Sequence, residues 1–238
     1  MLLENMTMAE FKKHLKKTKT IIFPFGTVEE HGNHLPLNTD TLIIYEALKR
    51  VVQKRKVFLA PPVYYGVCTS TSQHPGTISI TPETLRRITS DIVRDAYKKG
   101  LRNFFLLTGH GGGLHSFALK EAAEILVDEL KGVKMTVLCP YDVLRKELSE
   151  LAETANDSHA GEIETSLVLC LAPELVKGRS REEYPDFPKP FIVRDKLKYW
   201  RGGVWGNPAK ASAGKGEKVM KLIVDKIIGV LDMAEKRL

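Results

Sequence analysis

The chain has 238 residues, 43% hydrophobic and 27% charged, with a formal net charge of +7 and three cysteines. That balance suits one globular domain over residues 1–238 and excludes a disordered, collagenous or disulfide-stapled chain. No apolar run approaches the roughly 20 residues that span a bilayer. The basic residues are scattered KK and KR pairs without aromatic interleaving, so neither membrane nor nucleic acid is an expected partner.

In chain order, MLLENMTMAEFKKHLKKTK lacks an apolar core followed by a small-residue cleavage site, so no signal peptide is expected. TIIFPFG reads as a buried strand, and TLIIYEALKRVVQ as a helix entered through Asp40 or Thr41. VFLAPPVYYG reads as the next strand and its exit. TPETLRRITSDIVRDAYKKG is a helix with Thr81 as cap, Pro82 at its first position and Gly100 closing it. FFLLTG is a buried strand, SFALKEAAEILVDEL a helix, KMTVLCP a strand and YDVLRKELSELAETA a helix. EIETSLVLCLAP and GEKVMKLIVDKIIGVLDMAEKRL read as the last two helices. Between them, the Pro-, Gly- and aromatic-rich stretch from Val176 to Ala213 reads as an excursion over the domain. This alternation predicts an α/β fold with a mostly parallel central sheet covered on both faces.

Ligands of such sheets bind beyond the carboxyl ends of the strands. EEHGNH follows the first strand and TGHGGG follows FFLL, so these two clusters can converge. Glu29 and His31 are two apart, and in an extended strand exit alternate side chains share a direction. Asp40 returns after a loop, as a helix cap, a ligand or both. His110 comes from the neighbouring strand exit. Carboxylates and imidazoles together suit Zn²⁺, Mn²⁺ or Fe²⁺ better than Mg²⁺ or Ca²⁺. In DSHAGEIETS, Asp157 or Ser158 can cap a helix and Glu162 or Glu164 can favour its first turn. Glu164 instead faces inward if Ile163, Leu167 and Cys170 mark the buried side, and His159 is placed for acid–base work near neutral pH. TGHGGG lacks a P-loop's Lys-Ser/Thr ending, so its glycines read as close backbone approach to a ligand rather than a phosphate cradle. Cys68, Cys139 and Cys170 are widely spaced, odd in number and mostly flanked by apolar residues, which reads as reduced thiols in a cytoplasmic protein, against a disulfide scaffold or a Cys-based zinc site.

GTVEEHGNHLPLNTD, HPGTISI, TGHGGG, HAGEIETS and GVWGNPAKASAGKG, in this order, resemble the creatininase (creatinine amidohydrolase) family over about residues 21–216. The resemblance implies a three-layer α/β/α fold, two divalent metal ions per subunit and a homo-oligomer, often a hexamer. It also implies hydrolysis of a non-peptide C–N bond in a small-molecule substrate: an amide, cyclic amide or formamide. By position, Asp40 would bridge the metals, Glu29 and His110 would complete one site, and His31 would lie on the other. His159 would be the catalytic acid/base. Gly112 stands where creatininase proper has a metal-binding Glu, and Glu164 is the candidate for that ligand. No Trp lies between Lys131 and His159, where creatininase covers its substrate, which argues against creatinine itself. Thr108 and Gly113 also replace asparagines common beside GHGG.

Glu30 is assigned to catalysis through orienting His31 or the water. His34, His74 and Thr77 are assigned to substrate contact, with a loop or turn role as the alternative for each. The backbone amides of Gly111 and Gly112 are assigned to a carbonyl oxygen. Alternatives to amide hydrolysis are deformylation of formamidopyrimidine nucleotides, hydrolysis of a cyclic ketone, and metal binding without turnover.

Overall fold

A computed structural model describes residues 1–237, with side chains through residue 234. Four strands form one sheet in the order β2-β1-β3-β4: β1 Thr20–Phe25, β2 Phe58–Leu59, β3 Asn103–Thr108 and β4 Lys134–Leu138. Every pairing is parallel. Both faces are covered, and the strand residues divide between them by alternation. Ile22, Phe105 and Leu107 pack into one core with α2 (Thr39–Lys54), α7 (Glu162–Leu171) and α8 (Ala213–Arg237). Ile21, Phe23, Phe25, Phe104 and Leu106 point the other way, towards α1 (Met8–Leu15), α3 (Pro82–Lys98) and α4 (Gly113–Glu129). This is the expected α/β architecture. Among the described residues no helix is long and apolar enough to cross a membrane.

The local expectations need three corrections. The strand from VFLAPPVYYG shortens to Phe58–Leu59, with one isolated bridge from Val63 to Phe25. Pro61 and Pro62 intervene, and a prolyl nitrogen cannot donate to a ladder. The single helix expected from Tyr141 onward is two, α5 (Pro140–Val143) and α6 (Arg145–Leu151), meeting at Leu144. Helix α1 was not anticipated, although its capping box is visible in the sequence: the Thr7 hydroxyl accepts from the Glu10 amide, and the Glu10 carboxylate accepts from Thr7.

The chain leaves β1 towards β2 on one side and reaches β3 on the other, so the crevice between the ends of β1 and β3 is the topological switch point. Phe25 pairs with Thr108 at that edge, and the Gly109 amide continues the ladder to the Phe25 carbonyl at 3.0 Å. Helix α2 passes so close that a Cβ on Gly109 would lie 2.2 Å from the Asp40 carbonyl oxygen. Only glycine allows this approach, which brings Asp40 against the residue before His110.

Candidate metal centre

Each donor is aimed by a partner on its far side. The His31 Nδ1–H donates to the Glu29 carbonyl at 3.1 Å, because a carbonyl only accepts. That leaves Nε2 as the bare nitrogen, 3.3 Å from Asp40 Oδ1 and 3.6 Å from Glu164 Oε2. The His110 Nε2–H donates to the Val67 carbonyl at 3.2 Å, so Nδ1 faces inward, 2.9 Å from Glu29 Oε2 and 3.0 Å from Asp40 Oδ2. Asp40 therefore presents one oxygen to each imidazole. The Thr27 hydroxyl donates to Asp40 and the Thr71 hydroxyl to Glu29. Glu164, in the first turn of α7, accepts the Ala160 amide at 2.7 Å.

All five side chains are buried, His31 completely. Three carboxylates thus share a buried crevice with two imidazoles, and among the described residues no lysine or arginine pairs with them. Glu29 Oε2 and His31 Nε2 make no hydrogen bond. Inward-facing lone pairs about 3 Å apart repel unless a proton or a cation lies between them. Donor atoms of Glu29, Cys68 and His110, of His31, Asp40 and Glu164, and of Glu29, His31 and His159 each lie within 4.8 Å of one another. The residues present fit divalent ions of the zinc, manganese or iron type.

Without cations the crevice must hold protons. Burial alone would push His31 down, but the Asp40 and Glu164 carboxylates override it and hold the imidazole up at about 10. Burial likewise opposes ionisation of Glu29, yet His110 brings its carboxyl down to about 2. For the metal-free protein, the His31 contribution to stability is complete below its ordinary 6.5 and is lost as pH rises through about 10. The Glu29 contribution is present above 4.5 and is lost as pH falls through about 2. Chelator-treated protein is expected to lose at least about 2–4 °C in Tm on moving from slightly acidic to strongly alkaline buffer, the effect of roughly 1 kcal/mol in a chain of this size. Metal-loaded protein should lose less, since cations replace these protons. Equal pH sensitivity of the two forms, measured by calorimetry, would contradict this account.

A cavity of about 860 Å³ opens over the crevice and is walled by Glu29, Asp40, His110, Glu164, Gly111 and Gly112, among others. His159 also lines it. Its Nε2–H donates to the Glu30 carbonyl at 2.9 Å, with Glu30 Oε1 at 3.4 Å, and its ring lies 4.3 Å from that of His31. The Glu30 carboxylate also takes the Gly32 amide at 2.8 Å. It fits against Gly203, at φ +66°, where a Cβ would collide with it. The 176–213 excursion folds over this end and brings Trp200, Trp205 and Tyr184 into the wall.

The residues expected to touch substrate divide. Gly111 and Gly112 line the cavity, with Gly112 just ahead of α4. His34, His74 and Thr77 do not. His34 is held by Ser180 and Thr165 at 2.9 and 2.8 Å, and burial next to His31 brings it down to about 4. The Thr77 hydroxyl accepts the Glu30 amide at 3.0 Å, bracing the ligand loop. His74 packs edge-on to Trp200 with both ring nitrogens unpartnered. Gly112 stands where the resemblance to creatininase proper would put a Glu, and in this backbone a Cβ there would lie 2.2 Å from His110 Nε2. Glu164 instead completes the triad with His31 and Asp40. Thr71, Tyr141 and Trp200 carry no signal in the sequence that marks them for the site, and Cys68, which reads as a plain reduced thiol there, stands beside Glu29 and His110. Only Trp205 lay in a motif that had been singled out.

An α/β sheet carrying buried acid–imidazole clusters at its switch point defines a protein with a candidate metal centre. Residues 4–231 match the family model described as "Creatininase: Creatinine amidohydrolase", and the chain belongs to the creatininase family. It is 29% identical to the creatinine amidohydrolase of Pseudomonas putida over 227 residues, 87% of this chain and 86% of the relative. It is 30% identical to the mycofactocin precursor peptide peptidase of Mycolicibacterium smegmatis, over 86% of this chain and 81% of that one. The 3-dehydro-scyllo-inosose hydrolase of Thermotoga maritima is 26% identical, over 88% and 71%. Among solved structures, a mutant creatininase of Zn-Zn type superposes with a TM-score of 0.89 at 25% identity, covering 100% of this chain and 98% of that one. One described as "Creatininase Mn" gives 0.88 at 25%, over 100% and 99%.

Proposed function

We propose that this protein is a metal-dependent hydrolase that cleaves an amide-type C–N bond of a small molecule, using two divalent ions. The observation that carries this reading is Asp40, whose two oxygens face His110 and His31 separately. Glu29, His110 and Asp40 would hold one ion, and His31, Asp40 and Glu164 the other. When bound, the ions supply Lewis acidity, lowering the pKa of water and polarising a carbonyl. The solved relatives described with Zn or Mn support those metals, and the donor set also suits Fe.

The chain's own residues do the rest. His159, fixed by the Glu30 carbonyl, delivers a proton to the leaving nitrogen. Glu30 keeps that imidazole in one tautomer, because its carbonyl claims the Nε2 proton. The Gly111 and Gly112 amides, at the start of α4, meet the developing oxyanion. Trp200 and Trp205 close the wall beside His159 and limit water there. The same reading takes residues 1–238 as one creatininase-like domain, working in the cytoplasm as a homo-oligomer.

The substrate range follows the relatives' names, one of which acts on a precursor peptide. Peptide C–N bonds therefore stand beside cyclic amides and formamides as candidates. The test is metal analysis of the purified protein, then a screen of cyclic amides, formamides, short peptides and cyclic inosose ketones with the best metal. About two ions per chain and turnover of an amide are expected. Absence of any bound or activating metal would sink the reading. Turnover of a cyclic ketone alone would replace the amide with the chemistry named for the Thermotoga relative.

A further inference from the structure

We propose that Cys68 is a thiolate ligand of the ion at Glu29, Asp40 and His110, which makes that position a closed, zinc-preferring site. The exchangeable coordination position then belongs to the ion at His31, Asp40 and Glu164. This inference rests on the two-ion reading above and deepens it.

The donor atoms of Glu29, Cys68 and His110 lie within 4.8 Å of one another, and all three residues are buried, Cys68 to 1% exposure. The neighbours are arranged so that their free atoms point inward. Thr71 occupies Glu29 Oε1, leaving Oε2 without a hydrogen bond. The Val67 carbonyl claims His110 Nε2, leaving Nδ1. The residue that orients the imidazole is thus the chain neighbour of the one that carries the sulfur. That backbone is itself held. The Val67 amide donates to His115 Nδ1 at 3.1 Å, and the Cys68 amide to Ser79 Oγ at 2.9 Å. A donor on so anchored a segment is presented in one geometry, as a metal site requires.

The two ion positions differ in what surrounds them. Glu29, Asp40 and His110 line the cavity, whereas Cys68 does not. The sulfur therefore adds a donor without taking substrate room. With Asp40, whose Oδ2 lies 3.0 Å from His110 Nδ1, the Glu29, Cys68 and His110 group would count four protein donors, the number in closed tetrahedral zinc sites. His31, Asp40 and Glu164 supply three, the number that leaves one position open for chemistry. A thiolate also separates the metals, since sulfur selects zinc while manganese is served by oxygen and nitrogen. On ligation the Cys68 S–H bond is replaced by an S–metal bond and the proton passes to solvent. The plain alternative is that Cys68 fills space as a small hydrophobe, which buried cysteines often do.

The test loads metal-depleted protein with Co²⁺ alone and records its absorption. A thiolate-to-cobalt charge-transfer band in the near ultraviolet, beside the visible d–d bands, is expected. The band should vanish in Cys68→Ser and persist in Cys139→Ser and Cys170→Ser. Visible bands without the charge-transfer band, or a band that survives Cys68→Ser, would overturn the thiolate ligand while leaving the two-ion reading intact. Failure to bind cobalt at all would overturn both. X-ray absorption of the zinc-loaded wild-type chain provides a measurement that needs no variant. A sulfur scatterer at about 2.3 Å supports the proposal, and a shell of nitrogen and oxygen alone refutes it. Zinc-over-manganese preference should fall at least about tenfold in Cys68→Ser, beyond the lower bound for loss of an outer partner.

Discussion

Asp40→Ala is expected to weaken the hold on both ions at once and to reduce hydrolysis by more than the roughly 10–100-fold that loss of an outer partner costs. Asp40 sets one oxygen against each histidine: Oδ1 lies 3.3 Å from His31 and Oδ2 3.0 Å from His110. Removing it leaves His31 with Glu164, and His110 with Glu29 and Cys68, each set without the shared carboxylate. His31→Ala touches one position and should leave about one ion per chain. Elemental analysis after dialysis, read beside the hydrolysis rate, separates the two variants. Asp40 does not cap α2, so its loss does not unseat that helix through a missing cap. The shape-conserving Asp40→Asn provides a control for folding. Two ions retained in Asp40→Ala would show that it bridges nothing.

His159→Ala is expected to lower kcat by about 10²–10⁴-fold, the usual contribution of a positioned acid or base. Its metal content should be unchanged. Burial and neighbouring His31 push this imidazole down, but the Glu30 hydrogen bond with Glu29 and Glu164 outweighs them and holds it above its ordinary value. Cations on those acids would offset their pull and draw the imidazole back towards neutrality, where a proton donor works best. The loaded enzyme should therefore lose activity as alkaline pH deprotonates His159, and that limb should disappear from the variant's pH–rate profile. Its donor atoms lie within 4.8 Å of those of Glu29 and His31, so a competing role is open to direct measurement. Loss of an ion from His159→Ala would make it a ligand and overturn its assignment as the proton donor.

Much of this was legible because strands and helices write their faces into local spacing. β1 and β3 are apolar runs, and the rule that ligands gather beyond their carboxyl ends brings Glu29, His31 and His110 together from chain order alone. Glu164 was legible for a similar reason: Ile163 and Leu167 are buried on α7, and Glu164 between them is buried as well. β2 is shorter than its apolar run, because Pro61 and Pro62 within that run cannot donate to a ladder and turn the rest of it into the strand's exit. His34 and Thr77 each carried two readings, substrate contact or a loop or turn role, because a polar side chain near a ligand loop looks the same in sequence whether it faces a cavity or braces the loop from behind; here Thr77 holds the Glu30 amide and His34 holds Thr165.

What the sequence by itself determined was the alternation of strands and helices, the parallel sheet and the donors at two strand exits. Periodicity, glycine and proline placement, and chain direction suffice for these, since each acts within a few residues. Tertiary structure alone decided which distant segments reach those donors. His159 meets Glu30 across 129 positions, and the Val67 carbonyl meets His110 across 43. The same packing brings Cys68 beside Glu29 and His110, and Trp200 beside His159. No local pattern encodes such meetings. They follow from how the helices and the 176–213 excursion bury their apolar faces against one sheet, which carries the polar residues between those faces along with them.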